Sequence, residues 1–387
     1  MKKYTLAEIL AEPTRNGLTK PKAIRGVGVP MIAMGEIFAH SRIADIEMDR
    51  VPVTDKELFA SSIRTGDILF ARQSLTLEGA GKCSIVTKVV EPTVFESHLI
   101  RVRVNPEKAD PFYIYYYFNS FEGRNKVKSI VEQVAAAGIR GSDLVKLEIS
   151  LPDISTQRII ANFLNKIDFA IEVNNAINKN LSDQIQAIYC NKFDPVTHTP
   201  SGCLSDICRY SSDRIPVSEL TVSTYYSTEN MQPNKEGAVN ATNLPSIQQT
   251  TRCHKGDVLI SNIRPYFKKI VYVTEECGCS TDVLCFTPKK SELTAFLFGT
   301  LYIDRFFEHM VTGSKGTKMP RGDKQQIMNY PVVIPSEESL KAYNNIIIPM
   351  LEQVSYNRAE NIRLAALRDT LLPRLMSGEI DVSNLDI

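Results

Sequence analysis

An excess of charge of either sign is missing from this sequence. Its 45 basic and 44 acidic residues leave a formal net charge of +1 over 387 residues. That balance excludes a global electrostatic pull towards nucleic acid, so any such partner must be held by local basic clusters. Long apolar runs are missing too. The longest, Leu293 to Ile303, falls short of the ~20 residues a spanning helix needs and runs into Asp304 and Arg305. Lys2 and Lys3 are followed by Glu8, Glu12 and Pro13, which break the apolar core a signal peptide requires. The eight cysteines show no disulfide-framework spacing, the usual condition of reduced thiols. A cytoplasmic protein without a membrane segment is expected.

Catalytic constellations are equally scarce. The five histidines, His40, His98, His198, His254 and His309, have no recognisable triad context. Asp110-Pro111-Phe112-Tyr113 comes near the Asp/Asn-Pro-Pro-Tyr loop of amino-methyltransferases but lacks its second proline. It reads better as a helix start, with Asp110 capping and Pro111 in the first turn. Gly26-Val27-Gly28 runs at once into Val29-Pro30 and makes no cofactor loop. Gly79-Ala80-Gly81-Lys82 echoes a phosphate loop, yet Thr76 replaces the leading glycine and Cys83 follows the lysine, so a hairpin turn is expected. Cys253-His254 and Cys277-Gly278-Cys279 lack zinc-finger spacing and read as strand thiols. No catalytic residue and no metal site is expected.

What the chain does have is an internal repeat. Pro152 and Pro335 each close a short apolar run (Leu147 to Leu151, Tyr330 to Ile334) and stand 183 residues apart (335 − 152). At that offset Ile160, Leu164, Ile167 and Ile171 fall on Tyr343, Ile347, Met350 and Val354, and Leu181 and Ile188 fall on Leu364 and Leu371. The polar defects Asn174 and Asn178 fall on Asn357 and Asn361. The first stripe steps by four and three from Ile160 to Ile188, through Leu181 and Ile185, which is heptad spacing. A fainter echo links Gly66-Asp67-Ile68-Leu69 to Gly256-Asp257-Val258-Leu259 at an offset of 190 (256 − 66). Gly-Asp before an apolar run reads as a turn feeding a buried strand.

The organisation expected is α+β, with two similar β-rich globules over 1–152 and 196–335. A long helix over 153–195 follows the first, and a second helix with a tail over 336–387 follows the other. Neither helix can bury its stripe alone, so an antiparallel coiled coil with pseudo-two-fold symmetry is expected. Asn174 would then face Asn361 and Asn178 would face Asn357, near its centre. Such a pair would hold the globules a fixed distance apart, suited to successive major grooves of one duplex. Pro349 lies inside the second helical pattern, so a kink or restart is expected there, and Pro373 should end or bend its last turn. Arg368 occupies the repeat position of Ile185.

Two stretches resemble a known family. Leu151-Pro152 with Gln157, Ile160, Phe163, Leu164, Ile167 and Asp168 is similar to the central region of specificity (S) subunits of type I restriction–modification enzymes. Leu364 to Leu367, Arg368-Asp369, Leu371 to Leu375 and Ser377-Gly378-Glu379-Ile380 resemble that family's C-terminal region. The Gly-Asp strands and the tyrosine-rich Pro111 to Phe118 look like its target recognition domains, while Ser155-Thr156 stands where the family often has Glu. The resemblance implies two target recognition domains reading a split sequence in double-stranded DNA. It also implies that the helices dock two methyltransferase subunits, with restriction (translocase/nuclease) subunits joining them. S-adenosylmethionine, ATP and Mg would then belong to those partners, and this chain would carry no cofactor. A self-contained DNA methyltransferase or nuclease, and a coiled-coil scaffold, are the competing readings.

Base reading calls for Arg, Lys, Asn and Gln on exposed loops. Arg72 and Gln73 leave the first Gly-Asp strand, and Arg140 sits in a Gly-rich segment before the last strand of that globule. In the second globule Arg264, Tyr266, Lys268 and Lys269 leave the matching strand, and Lys315, Lys318 and Arg321 lie in a Gly-rich basic loop suited to phosphate. The helix-pairing set is Ile160, Leu164, Ile167, Ile171, Asn174, Asn178, Leu181, Ile347, Met350, Val354, Asn357, Asn361, Leu364 and Leu371.

Overall fold

The repeat is carried element by element. The computed structural model describes residues 1–133 and 137–382, so the last five residues of the segment expected to form the second helix and its tail, 383–387, lie outside the described residues. Helices α1 (Pro111–Asn119), α2 (Phe121–Ser129), α3 (Gly141–Leu144) and α4 (Ile154–Phe193) are followed by α5 (Thr294–Tyr302), α6 (Asp304–Thr312), α7 (Lys324–Met328) and α8 (Glu337–Met376). Each of the second four starts 183 residues after its counterpart (294 − 111, 304 − 121, 324 − 141, 337 − 154). Both long helices have 40 residues.

The chain forms two compact units, Met1–Phe169 with Leu364–Ile387, and Ala170–Arg363. Both boundaries fall inside α4 and α8, so each unit includes a length of both helices. In unit 1 a five-stranded sheet runs in the order Arg15–Asn16, Leu99–Val102, Ile68–Ala71, Cys83–Val86, Arg42–Ile43. Unit 2 repeats its middle, in the order Cys208–Tyr210, Val283–Pro288, Val258–Ser261, Ile270–Tyr272. In each unit a helix buried all round packs on the sheet: Tyr113 to Phe118 are all buried in α1, as are Ala295 to Tyr302 in α5. The long apolar run of the sequence is thus a core helix. No helix among the described residues is long and apolar enough to cross a membrane.

The Gly-Asp strands begin alike. Gly66 and Gly256 sit at φ +90° and +95°, and the next carboxylate accepts a backbone N–H three residues back, from Arg64 to Asp67 (2.7 Å) and from His254 to Asp257 (2.8 Å). Both carboxylates are buried, and each unit compensates its own differently. Asp67 pairs with Arg103 (2.6 Å), which also reaches Glu12 (2.5 Å), while Arg101 pairs with Glu12 (2.7 Å). Asp257 accepts from the Cys285 thiol at 3.2 Å, and burial holds its carboxyl above the usual range.

Within unit 2 the helices run antiparallel. Asn174 Nδ2 donates to Asn361 Oδ1 and Asn357 Nδ2 to Asn178 Oδ1, both at 2.9 Å, and Asn361 Nδ2 donates to Asn175 Oδ1 at 2.8 Å. Ile185, Tyr189 and Phe193 of α4 share a core with Tyr343, Ile347 and Leu351 of α8. In unit 1 the N-terminal part of α4 contributes Ile160, Ala161 and Leu164 to a core that includes Leu372, Leu375 and Met376. Ile167 and Val354 are also buried, whereas Ile171, Leu181, Met350, Leu364 and Leu371 are half-buried. Tyr189, Leu351 and Leu372 take the interior places that the repeat assigns to Ile188, Met350 and Leu371. A strict four-three step drifts against 3.6 residues per turn, so the buried side chain moves on by one.

Helix α8 neither restarts at Pro349 nor ends at Pro373, two of the outcomes expected of these prolines, and runs on to Met376. Both prolines are exposed, as are Asn345 and Asp369 four residues earlier, so water can satisfy the carbonyls that lose an N–H partner. The helix stops instead at Gly378, φ +77°, where Glu379 N–H closes on Arg374 O at 3.0 Å. Arg368 is no idle defect either: its guanidinium pairs at 2.7 Å with Asp168, a buried carboxylate that also accepts from Tyr116 Oη at 2.6 Å.

Candidate nucleic-acid interface

Residues far apart in sequence converge at the end of each Gly-Asp strand. In unit 1 the strand Gln73–Ser74 pairs with Ala137–Gly138, Gln73 opposite Gly138 and Ser74 opposite Ala137. Ile139 N–H donates to Arg72 O at 2.9 Å. This places Arg72, Gln73 and Arg140 together at one sheet margin. In unit 2 the matching contact is a bridge between Ile263 and Arg321. Each partner is displaced from its unit 1 equivalent by a repeat offset already met (263 − 73 = 190, 321 − 138 = 183). The loop 262–269 is thereby joined to the Gly-rich loop 313–321, and Arg264 N–H donates to Pro320 O at 2.8 Å.

The candidate side chains differ in how free they are. Arg140 pairs with Glu132 (2.6 Å), Lys268 with Asp304 (3.1 Å), Lys315 with Asp323 (2.7 Å) and Arg321 with Asp282 (2.9 Å). Hydrogen bonding from Lys315 lowers the Asp323 carboxyl's pKa below its usual value. Burial works against the Asp304 carboxylate, but hydrogen bonds from Lys235 and Lys268 outweigh it, so its pKa is lowered too. Lys269 donates to Thr228 O at 2.6 Å, and burial lowers its own pKa. Gln73 Oε1 lies 3.1 Å from His98 Nδ1. Arg72 and Lys318 have no ion pair among the described residues, and Lys318 is exposed. Exposed pairs contribute at most about 1 kcal/mol, so a phosphate can exchange for the carboxylate at little cost.

The unit 2 loop also holds two buried polar atoms without a hydrogen-bond partner among the described residues. Arg264 lies in the left-handed region (φ +52°) with its Nε buried and unpartnered, and its Nη2 only 3.4 Å from Lys318 O. The buried Asn262 Oδ1 beside it also lacks a partner. Asn262 was legible only as part of the loop; its burial and vacant acceptor are structural. The other side chains the sequence reading missed are the carboxylates Glu132, Asp282, Asp304 and Asp323. Nothing in local spacing ties them to their cations.

The features weighed against enzyme sites fall in ordinary surroundings. Asp110 caps α1, accepting from Tyr113 N–H at 2.9 Å. Gly79 to Lys82 form the turn before Cys83–Val86. Cys253, Cys277 and Cys279 lie in paired strands of a buried cluster. Among the described residues no group of three or more His, Cys, Asp or Glu is placed to hold a metal ion.

Comparison with known proteins adds to this geometry. The model of the type I restriction modification DNA specificity domain matches residues 2–183 and 201–367. The chain belongs to that family. The EcoKI specificity subunit of Escherichia coli (strain K12) is 30% identical over 197 residues, 48% of this chain and 41% of that protein. The MjaIX specificity subunit of Methanocaldococcus jannaschii is 31% identical over 78 residues, 20% of this chain and 18% of its own. The matched region thus spans less than half the length of either relative. A solved S subunit from M. genitalium aligns at a TM-score of 0.60 and 16% identity over 97% of this chain and 95% of its own, which fixes the shared two-domain α+β fold.

Proposed function

We propose that this chain is the DNA sequence-recognition subunit of a type I restriction–modification complex. Each unit reads one part of a bipartite target in double-stranded DNA. The observation that carries the reading is the recurrence, in both units, of one loop pairing (Gln73 with Gly138, Ile263 with Arg321) that gathers cationic and amide side chains beside a rigid sheet. Arg72, Gln73 and Arg140 serve unit 1. Arg264, Tyr266, Lys268, Lys269, Lys315, Lys318 and Arg321 serve unit 2, with the arginines and amides on bases and the lysines on phosphates.

Chemistry is assigned to partners. Two methyltransferase subunits, using S-adenosylmethionine, modify adenine, and restriction subunits using ATP and Mg cleave. This chain itself is non-catalytic and works in the cytoplasm. Exposed apolar side chains on the unit 2 lengths of the long helices, Val173 and Ile177 on α4 and Tyr356 and Ile362 on α8, support protein docking there. Selection from a randomised duplex pool by the full chain with its methyltransferase partner tests the proposal. Two enriched blocks separated by a constant unselected gap are expected, and recovery of no sequence preference would overturn it.

A further inference from the structure

We infer that each unit also carries an apolar wedge, Leu75 in unit 1 and Tyr266 in unit 2, that enters a DNA groove and partly unstacks one base-pair step. The inference rests on the DNA-reading proposal above and adds to it a deformation of the duplex. Leu75 is 99% exposed and follows directly on the strand that carries Gln73. Its loop is pinned. Arg124 donates from Nη1 to Gly81 O (2.8 Å) and from Nη2 to Glu78 O (2.7 Å), Lys82 Nζ reaches Phe38 O (2.9 Å), and Thr76 N–H closes on Ser74 Oγ (3.1 Å). Leu75 therefore stands clear of the core on a loop that these hydrogen bonds hold in place.

The repeat position of Leu75 in unit 2 is Pro265 (75 + 190), which is buried, and the next residue takes up the exposed role. Tyr266 is 49% exposed, its ring 4.7 Å from that of Phe267. The turn bearing it is flanked by two non-glycine residues in the left-handed region, Arg264 and Lys268, both at φ +52°. Such strain persists only where the surroundings enforce it and marks functional loops. Here Phe267 N–H closes on Arg264 O (3.0 Å), and Asn234 N–H donates to Phe267 O (2.8 Å).

In both units the apolar tip shares its loop with candidate cations: Arg72 lies three residues before Leu75, and Arg264 and Lys268 flank Tyr266 on either side. A protein partner would call for a broad apolar patch. Leu75 and Tyr266 are the most exposed apolar side chains of their loops, ahead of Leu77 (37%) and Phe267 (38%), and a bulky tip on a loop that also carries cations suits wedging a base step while the backbone is held.

The test uses the full chain with its methyltransferase partner on duplexes carrying the selected split motif. 2-Aminopurine is placed singly at each step other than the methylated adenines. Wild type should raise the fluorescence at one step in each part of the motif. Leu75→Ala should abolish the rise in one part only and Tyr266→Ala that in the other. Each should weaken specific binding about fivefold or more, leaving the salt dependence intact. Leu75→Phe and Tyr266→Phe should retain both signals. Specific binding without any rise, or rises that survive both alanine variants, would overturn the wedge and leave DNA reading standing. Failure to distinguish the motif from a scrambled duplex would overturn both.

Discussion

Replacing Asn357 with leucine strands a buried amide, and the cost can be worked from the contacts. Asn357 is 3% exposed and gives its Nδ2 proton to Asn178 Oδ1 at 2.9 Å, while Gln353 Nε2 donates to its Oδ1 at 2.7 Å. Asn178 is 7% exposed, so losing the donor leaves its carbonyl facing hydrocarbon with little access to water. A buried acceptor without a partner costs roughly 1–3 kcal/mol, and the leucine recovers part of that by apolar burial. A net loss of about 1–2 kcal/mol is expected for Asn357→Leu. The double change Asn178→Leu with Asn357→Leu removes both amides, and should be at least as stable as the wild type. Urea unfolding of the full chain, with hydrogen exchange of the 343–357 amides reporting on unit 2, reads both effects. The coupling is the decisive quantity. If the double variant loses as much as the two single variants summed, the amides are not partners and the reasoning fails.

Arg368→Leu should cost about 3 kcal/mol or more in thermal or urea unfolding, because it leaves the buried Asp168 carboxylate without its guanidinium and with the neutral Tyr116 hydroxyl donating at 2.6 Å. Lys318→Ala should lower the slope of log binding constant against log salt by about one for every duplex, whereas Lys315→Ala should change it less, since Lys315 already pairs with Asp323 at 2.7 Å. Arg264→Ala should instead cost about 1–3 kcal/mol at one base pair, read by competition between single-substitution duplexes. Burial disfavours the Glu12 carboxylate, but Arg103 and Arg101 outweigh it and lower its pKa below the usual value. A depressed folded pKa gives stability that is present above the unfolded value near pH 4.3 and lost as pH falls through the folded value. The melting-temperature gap between wild type and Glu12→Gln should therefore narrow below about pH 4; a gap constant down to pH 3 would refute the linkage.

Much of the scaffold was legible because it is repeated. The 183-residue offset read from Pro152 and Pro335 is the offset between the starts of four helix pairs, and the Gly-Asp echo marks two buried strands. Local chemistry was legible as well, as in the capping of α1 by Asp110. The course of α8 was not, because a proline rule applied to sequence alone cannot know that Pro349 lies on a solvated face. Nor was the burial of Leu351 in place of Met350, which depends on how the helix turns against its neighbour. Candidate loops could be picked out by composition. Their meeting could not, since Gln73 and Gly138 pair across a long stretch of chain. The ion pairs of Lys268 with Asp304 and Arg321 with Asp282 were hidden for the same reason, while Arg140 with Glu132 and Lys315 with Asp323 stand eight residues apart, a spacing that no regular helix or strand pattern flags.

The most direct test of the account reads methylated bases across the genome of cells that carry this chain with its methyltransferase partner. Wild type is compared with a variant altered only at Asn262, Arg264 and Lys318. The account predicts a two-part methylation motif with a fixed gap, and a variant whose second part changes or relaxes while the first part and the gap stay as they were. A single contiguous motif, or a variant in which both parts shift together, would contradict it.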